Sequence, residues 1–104
     1  MDVTKDRVLN ILYESIDDLN EQLDDEHRMQ KHPETSLLGD STRLDSLGFV
    51  NFIVLVEDRC ERSFGMSLSL TETGRLERAD PFETIGTLAD FITGLLNGHK
   101  PVNN

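Results

Sequence analysis

The stretch that decides the fold reads LDSLGFVNFIVLVED and runs from Leu44 to Asp58. It opens with Asp45 and Ser46, two residue types that favour the N-cap of a helix, and it continues apolar on nearly every side. Its β-branched residues would also suit a buried strand, but the chain offers no second strand to pair with it. We therefore predict a helix that begins at Asp45 or Ser46 and ends near Ser63, before Gly65.

Amphipathic helices are predicted on both sides of this stretch. From Thr4 to about Leu23, apolar residues recur at spacings of three and four, and the opposite face is acidic. We interpret that acidic face first as a solvated surface and only second as a docking surface. A final helix is predicted after Pro81, which suits the first position of a helix, and Gly98 stops it. The apolar positions of the two helices are Val8, Ile11, Leu12, Ile16, Leu19 and Leu23, then Ile85, Leu88, Ala89, Ile92, Leu95 and Leu96.

The connections between these helices are polar and rich in turn formers. Residues 25 to 44 are predicted to be a long loop, with Leu37, Leu38 and Leu44 as candidate packing anchors. Residues 66 to 80 suit one or two helical turns, and residues 99 to 104 a loose tail. The predicted fold is a single all-α domain over residues 1 to 104, a small bundle of three main helices plus a short helix, with a long first loop.

The composition makes this domain acidic. Twenty Asp and Glu residues against ten Lys and Arg give a formal net charge of −10. This charge repels a nucleic-acid backbone and favours basic protein partners. No stretch reaches the roughly 20 apolar residues that span a bilayer, and the start of the sequence has no signal-peptide pattern. We therefore expect a cytoplasmic monomer that binds neither nucleic acid nor membrane.

Residues that would make this chain an enzyme are not found at suitable spacings. His27, His32 and His99 form no helical ligand pair, the acids lack the spacing of a calcium loop, and no Gly-rich phosphate loop is present. Ser46 lacks the flanking glycines and the histidine base of a hydrolase nucleophile. The lone Cys60 can form no internal disulfide and is interpreted as a small core residue. We expect no catalytic residues and no metal site.

One feature remains, the sequence Asp45-Ser46-Leu47 at the start of the most apolar helix, after a long loop, in an acidic domain of about a hundred residues. In this feature the chain resembles the acyl carrier protein family. Two features differ from that family. The pair Phe64-Gly65 lies about one turn later than the aromatic-glycine pair that usually ends the second helix, and the segment from residue 71 to residue 80 is longer than expected before the last helix. The matching residues are Leu44, Asp45, Ser46, Leu47 and Gly48, then Val50, Phe52, Ile53, Val54, Val56, Glu57 and Asp58, and finally residues 81 to 92, which look like that family's last helix and the turn leading into it.

The resemblance implies that Ser46 is esterified with 4'-phosphopantetheine, which a separate phosphopantetheinyl transferase takes from coenzyme A. Asp45 would help to bind a magnesium ion in the transferase complex. Leu47 and Val54 would be exposed apolar docking contacts. The acids Glu57 and Asp58 would pair with basic patches on acyl-transferring or acyl-modifying enzymes. The chain would then carry acyl, aminoacyl or polyketide intermediates as thioesters, in fatty-acid-like or specialised biosynthesis, without being an enzyme itself.

A function of another class stays open at this point. The chain can be a small acidic helical adaptor that binds a partner through its second helix, with Ser46 serving only as the N-cap. Separately from the choice between these functions, Leu47 and Val54 can be ordinary core, and Glu57 and Asp58 can be a solvated face. The side chains of the predicted interior could form an ordinary core or could shelter an acyl chain. These residues are Phe52, Ile53, Val56, Ile85 and Leu88.

Overall fold

The computed structural model describes residues 3 to 37, 44 to 70 and 81 to 98. Across these ranges the chain is a small all-α bundle of three helices, as predicted, with no strand. The only strand-like pairing in the described residues is an isolated antiparallel bridge between Ser36 and Thr84. The helices are α1 (Lys5–Asn20), α2 (Ser46–Phe64) and α3 (Ile85–Leu96), and a 3-10 turn covers Asp25–His27.

The first helix begins where its sequence predicts and ends earlier. The Thr4 hydroxyl oxygen accepts a hydrogen bond from the Arg7 amide at 3.3 Å and caps α1. The helix was predicted to reach about Leu23, but it ends at Asn20, where the backbone changes to tighter i→i−3 hydrogen bonds. The Asn20 side chain then holds the backbone of Met29, accepting from its amide at 2.8 Å and donating to its carbonyl at 3.0 Å.

The second helix confirms the prediction made from residues 44 to 58. Asp45 is the N-cap of α2, and the helix ends at Phe64, one residue beyond the predicted Ser63. Gly65 follows in the left-handed conformation, with φ of 70°, and its amide donates to the Glu61 carbonyl. Because glycine adopts this conformation without steric cost, it ends the helix at that residue. The strand interpretation of the apolar stretch is excluded.

The predicted start of the last helix after Pro81 is wrong, because α3 begins four residues later at Ile85. Thr84 is its N-cap, and Thr84 and Thr87 exchange the two hydrogen bonds of a capping box. The Thr87 hydroxyl also donates to the Pro81 carbonyl at 3.1 Å. This contact holds the preceding turn outside the helix. The helix ends at Leu96, and Gly98 follows with φ of 87°.

One hydrophobic core joins the helices, with α1 packed against both α2 and α3. The predicted loop anchors Leu37 and Leu44 are buried in it, whereas Leu38 lies outside the described residues. Within the short helix predicted over residues 66 to 80, residues 66 to 69 have no regular secondary structure and Leu70 is helical. Residues 71 to 80 and the predicted tail 99 to 104 lie outside the described residues. The predicted interior is confirmed as buried at Phe52, Ile53, Val56, Ile85 and Leu88.

The described part of the long first loop is held by the N-terminus of α3. The amides of Ile85 and Gly86 donate to the carbonyls of Thr35 and Pro33 at 3.0 and 2.7 Å. A side chain at Gly86 would place its Cβ 3.1 Å from the Pro33 carbonyl oxygen, so glycine permits this close approach. The loop therefore supplies partners for amides that a helix N-terminus leaves without an intrahelical acceptor.

Candidate functional site

The N-terminus of α2 is organised by Asp45. One carboxylate oxygen of Asp45 accepts a hydrogen bond from the Gly48 amide at 2.7 Å, and the residue is exposed. Ser46 is therefore the first residue of the helix and not its cap. The adaptor interpretation assigns Ser46 as the N-cap. This assignment is wrong, because the N-cap is Asp45. The Ser46 side chain lies outside the described part of the structure.

Gly48 allows this cap to form. A Cβ at residue 48 would lie 3.1 Å from the capping oxygen of Asp45 and 3.3 Å from a methyl carbon of Leu44. Both distances are shorter than ordinary van der Waals contacts between such atoms. The glycine thus lets the exposed Asp45 carboxylate and the buried Leu44 side chain lie together against the first turn of α2. This gives a physical reason for the residue order from Leu44 to Gly48.

A row of exposed apolar side chains starts next to Ser46. Leu47 is 69% exposed, Val50 54% and Val54 56%. Spacings of three and four place the three on one face of α2. The exposure predicted for Leu47 and Val54 is confirmed, so their alternative interpretation as core residues is wrong. Their role as docking contacts stays a prediction. Sequence reasoning gave Val50 no site role, although the same helical spacing identifies it.

The acids Glu57 and Asp58 lie in different surroundings. Asp58 is exposed, follows the apolar row by one turn and pairs with Arg62 at 3.0 Å. Glu57 is half-buried, and its carboxylate accepts a hydrogen bond from the Leu70 amide at 2.8 Å. The two side chains differ in this way because consecutive helical residues point about 100° apart, and their role as contacts for basic partners stays a prediction. The exposed Glu61, which sequence reasoning missed, continues the row instead.

Arg59 is directed away from that row and joins α2 to α1. Its guanidinium binds the Asp18 carboxylate through two nitrogens and reaches Glu14 at 3.2 Å. The hydrogen bond with Asp18 raises the pKa of Arg59 above its ordinary value. The acidic face of α1, interpreted as a solvated surface, is therefore partly used in packing, and Asp17 likewise pairs with Lys31 at 3.2 Å.

Cys60 is a core residue, as predicted. Its side chain is buried on the inner face of α2. Burial, and to a smaller extent the charge of Glu57, raises the pKa of the thiol to about 11. The thiol is therefore protonated at neutral pH, which makes it a poor nucleophile and a poor metal ligand.

The part of the chain that the structure describes has neither a cluster of metal ligands nor a membrane-spanning helix. No group of three or more His, Cys, Asp or Glu side chains there is placed to hold a metal ion. None of the helices in those ranges has the length and apolar character to cross a bilayer. His32 is exposed, and its Nδ1 accepts from the Glu34 amide at 3.1 Å. The His27 side chain and His99 lie outside the described part.

Comparisons with known proteins add no relative. No model of a protein family matches the chain, and neither the search of curated proteins nor that of solved structures found a match. The resemblance to acyl carrier proteins therefore depends on the residues of α2 and of the segment that leads into α3.

Proposed function

We propose that this protein is a carrier protein that bears a 4'-phosphopantetheine arm on Ser46 and delivers acyl, aminoacyl or polyketide intermediates to separate enzymes. The observation that carries the proposal is the exposed apolar row of Leu47, Val50 and Val54, which begins beside Ser46 on a helix capped by Asp45. A carrier needs a modifiable hydroxyl next to a surface that its partners can recognise. The arm supplies the thiol on which a cargo is held as a thioester.

The start of α2 is chemically suited to hold a phosphodiester. Ser46 and Leu47 occupy the first two helical positions, where backbone amides have no intrahelical acceptor. The positive end of the helix dipole also favours a negative group at this place. The cap formed by Asp45 uses the amide of Gly48 and not those two. The residues at this position therefore fit the prosthetic group.

The loading reaction requires a separate transferase. The Ser46 oxygen would form a bond to the phosphorus of the pantetheine phosphate in coenzyme A, 3',5'-ADP would leave with the electron pair, and the hydroxyl proton would pass to a base of the transferase. The exposed carboxylate of Asp45 would contact the magnesium ion of that complex, at a distance of one residue from the nucleophile. The rest of the chain contributes recognition.

Partner enzymes would cover the exposed row of α2. Burial of Leu47, Val50 and Val54 supplies a hydrophobic contribution, and the exposed Asp58 and Glu61 favour a basic rim on the partner. The formal net charge of −10 steers such a partner toward the carrier. Arg62 places one positive charge next to Asp58, so a matching partner surface is not uniformly basic.

The same exposed row supports the second candidate, a helical adaptor in which Ser46 stays unmodified. Intact mass after incubation with coenzyme A, Mg²⁺ and a promiscuous phosphopantetheinyl transferase separates the two. We expect a gain of one phosphopantetheine group, abolished in Ser46→Ala and kept in Ser63→Ala, an exposed serine near the other end of α2. Circular dichroism checks that both variants are folded. Absence of any gain with several transferases would support the adaptor.

A further inference from the structure

The chain reverses direction directly after α2 and returns to the core. Gly65 ends the helix in the left-handed conformation, and residues 66 to 69 run without regular secondary structure. Met66 is 40% exposed, whereas Leu70 is completely buried in the core cluster that also contains Cys60. We call residues 65 to 70 the strap. The last residue of the strap is thus part of the hydrophobic core.

The strap is held by one charged side chain of α2. The Glu57 carboxylate accepts a hydrogen bond from the Leu70 amide at 2.8 Å, across 13 residues of sequence. Glu57 is half-buried beside this contact. A hydrogen bond to an ionised acceptor is stronger than one between neutral groups. It also satisfies the amide of a residue that has no access to water, which would otherwise be costly.

We infer that Glu57 is a positioning residue that closes the strap over the core, and that it is not a contact for basic partners. The strap itself does not depend on the carrier function. The consequence for partner choice does rest on the proposed function. If Glu57 holds the strap, the acids next to the exposed row of α2 are Asp58 and Glu61. Sequence resemblance alone would treat Glu57 and Asp58 as interchangeable.

The two roles require different properties of Glu57. A docking contact needs the negative charge, whereas the strap needs an oxygen atom that accepts a hydrogen bond. Glu57→Gln keeps an acceptor oxygen at nearly the same length and removes the charge. Glu57→Ala removes both. Asp58→Ala is the matched control, because it removes a neighbouring carboxylate that is exposed and paired with Arg62.

Amide hydrogen exchange, measured residue by residue by NMR, tests the strap. In Glu57→Ala we expect exchange at the Leu70 amide to accelerate about tenfold to a hundredfold, the equivalent of one hydrogen bond to a charged acceptor. Glu57→Gln should exchange clearly more slowly than Glu57→Ala, and Asp58→Ala should match the wild type. The amide of Leu12, in the centre of α1, reports global unfolding and should change little.

Three results would overturn the inference. Unchanged exchange at the Leu70 amide in Glu57→Ala would show that the hydrogen bond has no effect on the strap. Equal acceleration in the Gln and Ala variants would show that charge and not the acceptor oxygen matters. Equal acceleration at Leu70 and Leu12 would show a loss of global stability in place of an opening strap.

The transferase assay tests the consequence for partners. At low ionic strength we expect the loading rate to fall several fold in the double variant Asp58→Asn/Glu61→Gln, and by less in Glu57→Gln. A larger loss in Glu57→Gln would return Glu57 to the docking surface and overturn the consequence. If the wild-type chain is not loaded at all, the proposed function fails, while the exchange result at Leu70 still decides whether the strap exists.

Discussion

The carboxylate of Asp45 accepts a hydrogen bond from the Gly48 amide at 2.7 Å, and a Cβ on residue 48 would lie 3.1 Å from that same oxygen. The cap of α2 and the glycine of its first turn therefore depend on each other. The contact also fixes the direction of the carboxylate next to Ser46. Two residues that look separate in the sequence form one local structure.

A double-mutant cycle on Asp45 and Gly48 is expected to show this coupling. Asp45→Ala should lower the free energy of unfolding by about 1 kcal/mol, because it removes the N-cap. Gly48→Ala has two opposing effects. The better helix propensity of alanine stabilises the fold by about 1 kcal/mol, and crowding of the new Cβ against the capping oxygen of Asp45 destabilises it. In the Asp45→Ala background that oxygen is absent, so Gly48→Ala should be more favourable there by about 0.5 kcal/mol or more. Urea denaturation gives the free energy of unfolding of the wild type, the two single variants and the double variant. If the effects of the two substitutions simply add, the two residues are not coupled.

Arg59 and Arg62 are expected to contribute very differently to stability, although they lie one turn apart. Arg59→Ala removes the link between α2 and the acids of α1, and should lower the free energy of unfolding by about 1 kcal/mol or more. Arg62→Ala removes an exposed i,i+4 pair and should cost about 0.5 kcal/mol or less. Thermal or urea unfolding at low salt measures both. Equal effects would mean that the bridge to Asp18 adds nothing.

The main features of the fold could be predicted from the sequence because they depend on local patterns. The start of α2 follows from the capping residue Asp45, and the buried positions follow from apolar spacing. The ends of the other helices were harder to predict. The end of α1 depends on Asn20, which holds Met29 nine residues away, and the start of α3 depends on the pairing of Thr84 with Thr87 and not on Pro81.

The candidate site was predicted in part for the same reason. The exposure of Leu47 and Val54 follows from helical geometry, and that geometry also identifies Val50 and Glu61. The role of Glu57 is different, because its partner is a backbone amide 13 residues away, beyond the irregular residues 66 to 69. A resemblance to a family carries no information about such a contact.

Cys60 is expected to make the stability of the fold fall at alkaline pH. Burial raises the pKa of its thiol from 9.0 to about 11 in the folded chain. Between these values the unfolded chain loses the proton and the folded chain keeps it, so deprotonation favours unfolding. The stabilising contribution is complete below about pH 9 and is lost as the pH rises through about 11. The change corresponds to about 2 to 3 kcal/mol.

The measurement is the free energy of unfolding of the wild type and of Cys60→Ala between pH 8 and about 11, in urea with a reductant. The alanine variant loses packing by a constant amount, so only the difference in pH dependence between the two chains reports the thiol. Parallel curves would mean that the thiol titrates alike in the folded and unfolded chains. All other side chains are present in both proteins, so their contributions to the pH dependence cancel.

The exposed row of α2 is expected to be dispensable for folding and needed for recognition. Leu47→Ala and Val54→Ala remove apolar groups that already face water, so the free energy of unfolding should change by no more than about 0.5 kcal/mol. Ile53→Ala is the matched control on the buried face of the same helix and should cost about 2 to 4 kcal/mol.

In the transferase assay, Leu47→Ala should raise KM several fold, because apolar burial at the interface is lost. Loss of stability in Leu47→Ala comparable to that in Ile53→Ala would place this side chain in the core, and unchanged loading would remove it from the docking surface.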